Sequence, residues 1–193
     1  MVFARFIETA QTSTFLPSSI PWVHAMQPDR PFSQSSSSPT AVASSKTVSA
    51  PKATSVCSDS TIAVAKGQDV AVSMYGRKKT GLLSPVVVHF HGGAFTTGGL
   101  DNGCVVASLL EGAGAVVVSV AYPLTPFPQP VDTGYDVLKW AYRNRSKLGG
   151  QGAPVYLAGE EAGGNLAAAV ALMARDQSHP SLAGQILLSP MLD

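Results

Sequence analysis

The chain has 193 residues, of which 45% are hydrophobic, and a formal net charge of +1. This length fits one domain of ordinary size with enough apolar side chains for a core. A charge near zero provides no attraction to nucleic acid or to an anionic membrane surface, so we expect neither as a partner. No apolar run approaches the ~18 residues of a membrane-spanning helix.

The cysteines and the N-terminus bear on the cellular compartment. Cys57 and Cys104 form neither a C-x-x-C pair nor a disulfide framework. Unpaired thiols are typical of a reducing compartment. The N-terminus lacks the charged region and unbroken apolar core of a signal peptide. These features predict a cytoplasmic protein.

Residues 1–57 differ in composition from the rest of the chain. They are rich in Ser, Thr, Pro and Ala, with weak periodicity and low charge. Such a composition predicts a low-complexity, mostly disordered segment, followed by a folded domain over 58–193. An alternative is a short helix that docks on the domain through apolar residues such as Phe6 and Trp22.

The folded part alternates strand and helix patterns. In chain order we predict strands over 61–65 and 70–75 that form an antiparallel hairpin, a strand over 85–90, a crossover helix over 100–111, a strand over 115–121, a helix over 131–148, a strand over 155–158, a helix over 165–174 and a strand over 185–190. This alternation predicts an α/β domain with a mainly parallel, doubly wound sheet.

A G-x-x-x-G turn, Gly159 to Gly163, joins the strand over 155–158 to the following helix. Its glycines let strand and helix approach closely while the middle residue projects over the sheet, as in a nucleophile elbow. In a serine hydrolase that residue is Ser, whereas here it is Glu161. A carboxylate is ionised at neutral pH and is further stabilised at a helix N-terminus. Glu161 is therefore unsuited as a general acid and cannot form an acyl-enzyme ester.

Two roles are open for Glu161. Carboxylates are stabilised at a helix N-terminus whatever the function, so we favour a side chain that caps its own helix. A carboxylate can also act as a nucleophile on an alkyl carbon, but turnover would then need a base that activates water.

A second glycine turn, His91-Gly92-Gly93-Ala94, directly follows the strand over 85–90. Glycines leave backbone N–H groups free to point into a cleft, where they stabilise the oxyanion of a tetrahedral intermediate. Such a turn accompanies the elbow in lipases and esterases. A simple glycine turn is the alternative, and the elbow downstream favours the oxyanion interpretation.

Metal and cofactor sites are not expected. His89 and His91 are two residues apart, but no third metal ligand is evident nearby. The elbow lacks the lysine of a phosphate-binding loop and the glycine spacing of a dinucleotide fingerprint. Its two carboxylates, Glu160 and Glu161, would repel a phosphate at that helix N-terminus.

Together the motifs resemble those of the hormone-sensitive-lipase-type esterases of the α/β-hydrolase fold. The matching segments are HFHGGAF at 89–95, VVSVAYPL at 117–124, the segment 127–140, GEEAGGNLAA at 159–168 and ILLSPMLD at 186–193. The resemblance implies hydrolysis of short or medium acyl esters without a cofactor. It also implies oxyanion donors at Gly93, Ala94 and Ala162. Gly92 would belong to the same turn, with His91, Gly159 and Gly163 as supporting motif positions.

The sequence departs from this family's pattern at the catalytic positions. The serine falls on Glu161 and the preceding aspartate on Glu160. The family's catalytic Asp and His lie beyond the strand that resembles 186–190, so we expect the C-terminal part of the fold to be missing. Asp193 matches the end of that strand rather than the catalytic acid, and His179 is not at the catalytic histidine position.

These observations predict an esterase-like domain that is inactive as a serine hydrolase. One alternative is a non-catalytic protein that binds a small acyl-ester or carboxylate-like ligand. Another is a hydrolase of epoxides or alkyl halides with Glu161 as the nucleophile. The strand over 185–190 is expected at an apolar sheet edge, which predicts self-association.

Overall fold

The computed structural model describes residues 57–192, apart from the side chain of Lys66. The predicted low-complexity segment lies outside the described residues, except for Cys57, which begins the first strand. Among residues 57–192, no helix has both the length and the apolar character needed to cross a membrane.

The described part forms six strands and three α-helices. In chain order they are β1 (Cys57–Ala63), β2 (Asp69–Tyr75), β3 (Val86–Phe90), α1 (Cys104–Gly112), β4 (Val116–Val120), α2 (Gln129–Leu148), β5 (Val155–Glu160), α3 (Ala162–Asp176) and β6 (Gly184–Leu188). A short 3-10 turn, Ala65–Gly67, joins β1 to β2.

Two helix starts differ from the prediction. The crossover helix α1 begins at Cys104 rather than at residue 100, because glycines and turns occupy the preceding segment. The elbow helix α3 begins at Ala162 rather than at residue 165. Its first turn contains Gly163 and Gly164, which have low helix propensity. Tertiary packing decides the conformation there.

The six strands form one sheet in the order β1-β2-β4-β3-β5-β6. β1 pairs antiparallel with β2, and β2 antiparallel with β4. The remaining pairs, β4 with β3, β3 with β5 and β5 with β6, are parallel. The predicted hairpin and the mainly parallel sheet are therefore confirmed, although the first strand of the hairpin is Cys57–Ala63 rather than 61–65. All residues of β3 and β4 are buried, as expected for parallel strands covered on both faces.

Helices cover both faces of the sheet. The larger core lies under α2 and α3 and includes Val88, Phe90, Leu138, Leu166 and Val170. The smaller core lies under α1 and includes Val87, Ala107, Val117 and Ala158. The C-terminal ends of β3 and β5 are adjacent at the centre of the sheet, since Phe90 is in register with Gly159. The two glycine turns that follow these strands are therefore brought together.

Candidate functional site

Glu161 lies at the sharp turn between β5 and α3. It is the N-cap position of α3 and has φ 53° and ψ −117°. A non-glycine residue with a left-handed φ is uncommon, and such strain concentrates at functional sites. The strand–turn–helix geometry expected of an elbow is present, with Glu161 at its tip.

The elbow depends on glycines that let backbone segments approach within contact. A Cβ on Gly159 would lie 2.1 Å from the carbonyl oxygen of Gly163. A Cβ on Gly163 would lie 2.2 Å from the carbonyl oxygen of Phe90 and 2.4 Å from that of His91. Any larger residue at these positions would push the start of α3 away from β5 and β3.

The turn after β3, His91-Gly92-Gly93-Ala94, is called the β3 turn below; it is tight and stabilised by its own backbone. Gly93 has φ 123°, and the next residue, Ala94, has φ 51°. The N–H groups of Thr96 and Thr97 each donate to the Gly93 carbonyl at 3.0 Å. Both threonine hydroxyls donate to the same oxygen, at 3.4 and 3.3 Å. These four bonds engage the Gly93 carbonyl and close the turn.

The two turns meet through the Glu161 side chain. The backbone N–H of Gly93 donates to Oε2 of Glu161 at 3.0 Å, across 68 residues of sequence. A Cβ on Gly92 would lie 2.7 Å from the same oxygen. The absence of a side chain at Gly92 therefore makes room for the carboxylate. Sequence analysis placed all three residues at the site but did not foresee this contact.

The predicted role of Glu161 as a side-chain cap of its own helix is wrong. The side chain makes no cap hydrogen bond to α3. The left-handed φ of Glu161 directs its side chain toward the β3 turn instead. Its backbone carbonyl accepts from the N–H groups of Gly164 and Asn165 at 3.1 and 3.2 Å, so the helix start is closed by main-chain bonds.

The other expected oxyanion donors occupy different settings. Ala162 is buried as the first residue of α3, next to Glu161 in the chain. Ala94 is exposed in the β3 turn. Gly93 supplies the hydrogen bond to the carboxylate, and roles for Ala94 and Ala162 remain predictions.

Tyr122 holds the β3 turn through contacts with His91, a role that was not predicted from the sequence. Its hydroxyl donates to the His91 carbonyl at 2.8 Å, and its ring stacks on the His91 ring with centroids 4.4 Å apart. Burial, assisted by the negative charges of Glu161 and Glu160, raises the pKa of Tyr122 to about 12. The hydroxyl therefore stays protonated and remains a donor. A tyrosine in the loop directly after a central strand is the only signal that the sequence offered.

His89 and Ser119 form a hydroxyl–imidazole pair in the core of the described part. Nδ1 of His89 lies 3.1 Å from Oγ of Ser119, and both residues are 0% exposed. Burial, together with the nearby His91, lowers the pKa of His89 to about 4. His89 is thus neutral at physiological pH and belongs to the core.

His179 lies in the loop after α3, as expected, where its ring packs edge-on against Tyr142 of α2 with ring centroids 5.2 Å apart.

No group of three His, Cys, Asp or Glu side chains within residues 57–192 is arranged to hold a metal ion.

Comparison with known proteins places the chain in a family. A sequence profile of a family described as alpha/beta hydrolase fold matches residues 87–193. Carboxylesterase NlhH of Mycobacterium tuberculosis (strain ATCC 25618 / H37Rv) is 43% identical over 110 residues, which are 55% of this chain and 34% of that protein. Gibberellin receptor GID1C of Arabidopsis thaliana is 38% identical over 120 residues, 58% of this chain and 34% of the receptor.

Solved structures agree with these matches. Esterase LipW of Mycobacterium marinum superimposes with a TM-score of 0.67 at 34% identity, covering 74% of this chain and 46% of LipW. An esterase of Pyrobaculum calidifontis gives a TM-score of 0.63 at 40% identity, covering 69% and 44%. The chain spans about a third of the length of these curated relatives. With the elbow, the β3 turn and the sheet order all in place, the chain belongs to the alpha/beta hydrolase fold family.

Proposed function

We propose that this chain carries an ester-hydrolase-type pocket in which Glu161 stands at the nucleophile position, and that it does not hydrolyse esters by a serine mechanism. The observation that supports this is the 3.0 Å hydrogen bond from the Gly93 N–H to Glu161 Oε2. The esterases NlhH and LipW, which match this segment of the chain, support an origin in carboxylic-ester hydrolysis.

The carboxylate opposes ester hydrolysis in two ways. It lacks the hydroxyl that an imidazole deprotonates to attack an acyl carbon. It also occupies the Gly93 donor that would otherwise stabilise the oxyanion. Enzymes stripped of their catalytic triad keep a residual acceleration of about 10³–10⁴ from the oxyanion hole and binding. A blocked donor should remove part of that residue as well.

A nucleophilic Glu161 acting on epoxides or alkyl halides is the less favoured alternative. The Gly93 N–H donates to Oε2 alone, so the other carboxylate oxygen could attack an alkyl carbon. Hydrolysis of the resulting ester would then need a base that activates water, and the neighbouring imidazoles of His89 and His91 are buried.

The test is hydrolysis of p-nitrophenyl acetate by the wild-type chain and by Glu161→Ala. We expect the wild type to show at most a small residual rate above buffer, and Glu161→Ala to equal or exceed the wild-type rate because the Gly93 donor is vacated. Glu160→Gln is the matched control, since it changes the neighbouring carboxylate and leaves the Gly93 contact intact. Substantial wild-type turnover that disappears in Glu161→Ala would contradict the proposal.

A second candidate is a binding protein that has kept the pocket and lost the chemistry. The match to gibberellin receptor GID1C, a protein named as a receptor, favours this candidate. The ligand would be a small neutral acyl compound, because the carboxylate of Glu161 already holds the Gly93 donor. Calorimetric titration with an unreactive acyl amide tests it, and saturable binding without turnover is the supporting result.

We also propose self-association through β6. Among the described residues β6 pairs with β5 alone, so its outer edge presents unpaired backbone groups. Leu188 is 41% exposed there, and the segment 177–192 has no acidic or basic side chain apart from His179. Apolar edges without charged side chains recruit other strands.

Size-exclusion chromatography with light scattering tests this at several concentrations. Leu188→Lys should shift the chain toward the monomer by placing a charge on the edge. Leu172→Lys is the matched control, because Leu172 is 49% exposed on α3, away from the sheet edge. A wild-type chain that is monomeric at every concentration would exclude the proposal.

A further inference from the structure

We propose that the loop between β2 and β3 binds the surface of an anionic phospholipid bilayer. Residues 76–84, called the basic loop below, carry three consecutive cations at 77–79 and two consecutive apolar side chains, Leu82 and Leu83. The loop lies at the end of the sheet where β3 begins, whereas the two glycine turns follow the C-terminal ends of β3 and β5. The inference is therefore independent of the proposed function.

Leu82 and Leu83 form the apolar part of the proposed surface. Their exposed fractions are 62% and 61%, and every residue from 77 to 83 is exposed. Apolar side chains that are exposed next to one another mark interaction sites, whereas singly scattered ones need no explanation. A loop that is exposed along its length is convex. A bilayer interface accommodates a protruding apolar tip, whereas a folded protein partner would need a matching pocket.

The basic loop has a defined conformation. The N–H of Leu82 donates to the Lys79 carbonyl at 3.2 Å and closes a turn in which Gly81 has φ 76°. That φ is the one that the third position of a type II turn requires. The N–H of Ser84 donates to the Gly149 carbonyl at 2.9 Å, which anchors the loop to the end of α2. A loop held in this way loses little conformational entropy on binding.

The end of α2 extends the positive charge of the basic loop. Nζ of Lys78 donates to the Ser146 carbonyl at 3.4 Å, and Lys147 lies in the same last turn of α2. The ion pairs within residues 57–192 join neighbours inside α2 and inside α3, so none of them neutralises the basic loop. Glu111 of α1 lies close to Gly76 and offsets part of the charge. The net charge of +1 averages over the whole chain and conceals this local concentration of cations.

Electrostatic attraction and apolar insertion reinforce each other at a bilayer. Basic side chains are attracted to an anionic lipid surface, but stable membrane binding generally takes two signals. The basic loop supplies both in one segment. With this loop on a bilayer, the opposite end of the sheet, where Gly93 and Glu161 meet, faces the aqueous phase. The candidate site would then take its ligand from solution.

Flotation of the full 193-residue chain with lipid vesicles tests the proposal, because self-associated chain sediments while vesicle-bound chain floats. Vesicles of phosphatidylcholine with about 30% phosphatidylglycerol are compared with vesicles of phosphatidylcholine alone. We expect the chain to bind the anionic vesicles at least about tenfold more tightly. Salt at about 1 M should remove most of that preference, because it screens the exposed charges.

Loop variants separate the apolar contribution from the charged one. Leu82→Ser should weaken binding to the anionic vesicles by about threefold or more, because less apolar surface leaves water. Val105→Ser is the matched control, since Val105 is 66% exposed in the first turn of α1, and it should bind as wild type does. All of these side chains are exposed, so urea unfolding of the variants should match that of wild type.

The double variant Arg77→Gln with Lys79→Gln should weaken binding by about tenfold or more. Gln68→Glu with Asn102→Asp is its control, because it makes the same change in net charge at exposed positions near the other end of the sheet. That control should lower the affinity by less than about threefold.

Equal binding to the two kinds of vesicle, or binding to neither, would overturn the inference. Equal losses in the loop variants and in their controls would also overturn it, since that pattern indicates a general effect of charge. A loss in the double variant with no loss in Leu82→Ser would exclude the bilayer and indicate a site for an acidic protein or a polynucleotide, which charge alone attracts.

Discussion

Replacement of Gly163 by alanine tests the packing on which the elbow depends. The added Cβ would lie 2.2 Å from the Phe90 carbonyl oxygen and 2.4 Å from the His91 carbonyl oxygen, whereas ordinary contact begins at 3.4 Å. The start of α3 and β3 would therefore have to separate by about 1.2 Å, from 2.2 to 3.4 Å. Both contacted atoms are backbone atoms, so no side-chain rotation can relieve the clash.

The expected loss of stability follows from two opposing effects. Overpacking a close-packed contact costs about 1–3 kcal/mol. Alanine in place of glycine inside a helix returns about 0.5–1 kcal/mol. Because the clash is with backbone atoms, we expect a cost near the upper end of that range and a net destabilisation of about 2 kcal/mol. At about 2–4 °C per kcal/mol for a domain of this size, the melting temperature should fall by about 4–8 °C. The shift also strains the bond between Tyr122 and the His91 carbonyl.

Urea unfolding followed by circular dichroism measures this change, and Gly112→Ala is the matched control. Gly112 is the last residue of α1, and a Cβ there would meet no atom within 4 Å. That variant should be as stable as wild type or slightly more so. If Gly163→Ala were no less stable than Gly112→Ala, the close approach of α3 to β3 would be refuted.

Two further predictions concern the residues behind the β3 turn. Tyr122→Phe leaves the buried His91 carbonyl without its donor, so urea unfolding should show a loss of about 1–3 kcal/mol in the free energy of unfolding. Tyr135→Phe is the control, because the hydrogen bond from Tyr135 to a backbone carbonyl is exposed and its loss should cost less. Equal losses in the two variants would contradict the prediction. His89 has a pKa of about 4 in the folded chain and 6.5 when unperturbed. Between these two pH values His89 is therefore protonated in the unfolded chain and neutral in the folded chain. The free energy of unfolding should therefore fall as pH drops from 6.5 toward 4, by up to about 1.4 kcal/mol per pH unit. His89→Asn should flatten that slope, and an unchanged slope would show that other groups cause it.

Much of the fold followed from patterns in the sequence. The continuous apolar runs that became β3 and β4 predict strands covered on both faces, and the period of the residues that became α2 predicts a helix. The two glycine turns predicted the place of the site, because parallel strands bring their C-terminal ends to one edge of the sheet. The start of α3 was harder to predict from the sequence. Gly163 and Gly164 have low helix propensity, and contacts with distant residues require glycine at both positions.

The position of Glu161 at the elbow tip, where it offers a carboxylate rather than a hydroxyl, could be predicted from the sequence. The partner of that carboxylate could not, because it depends on the left-handed φ of Glu161 and on Gly93, 68 residues away. The hydrogen bond from Tyr122 to the His91 carbonyl likewise could not be predicted from the sequence, since it joins loops that follow different strands. Local patterns report the conformation of a segment, whereas a side chain's partner is set by how the segments pack.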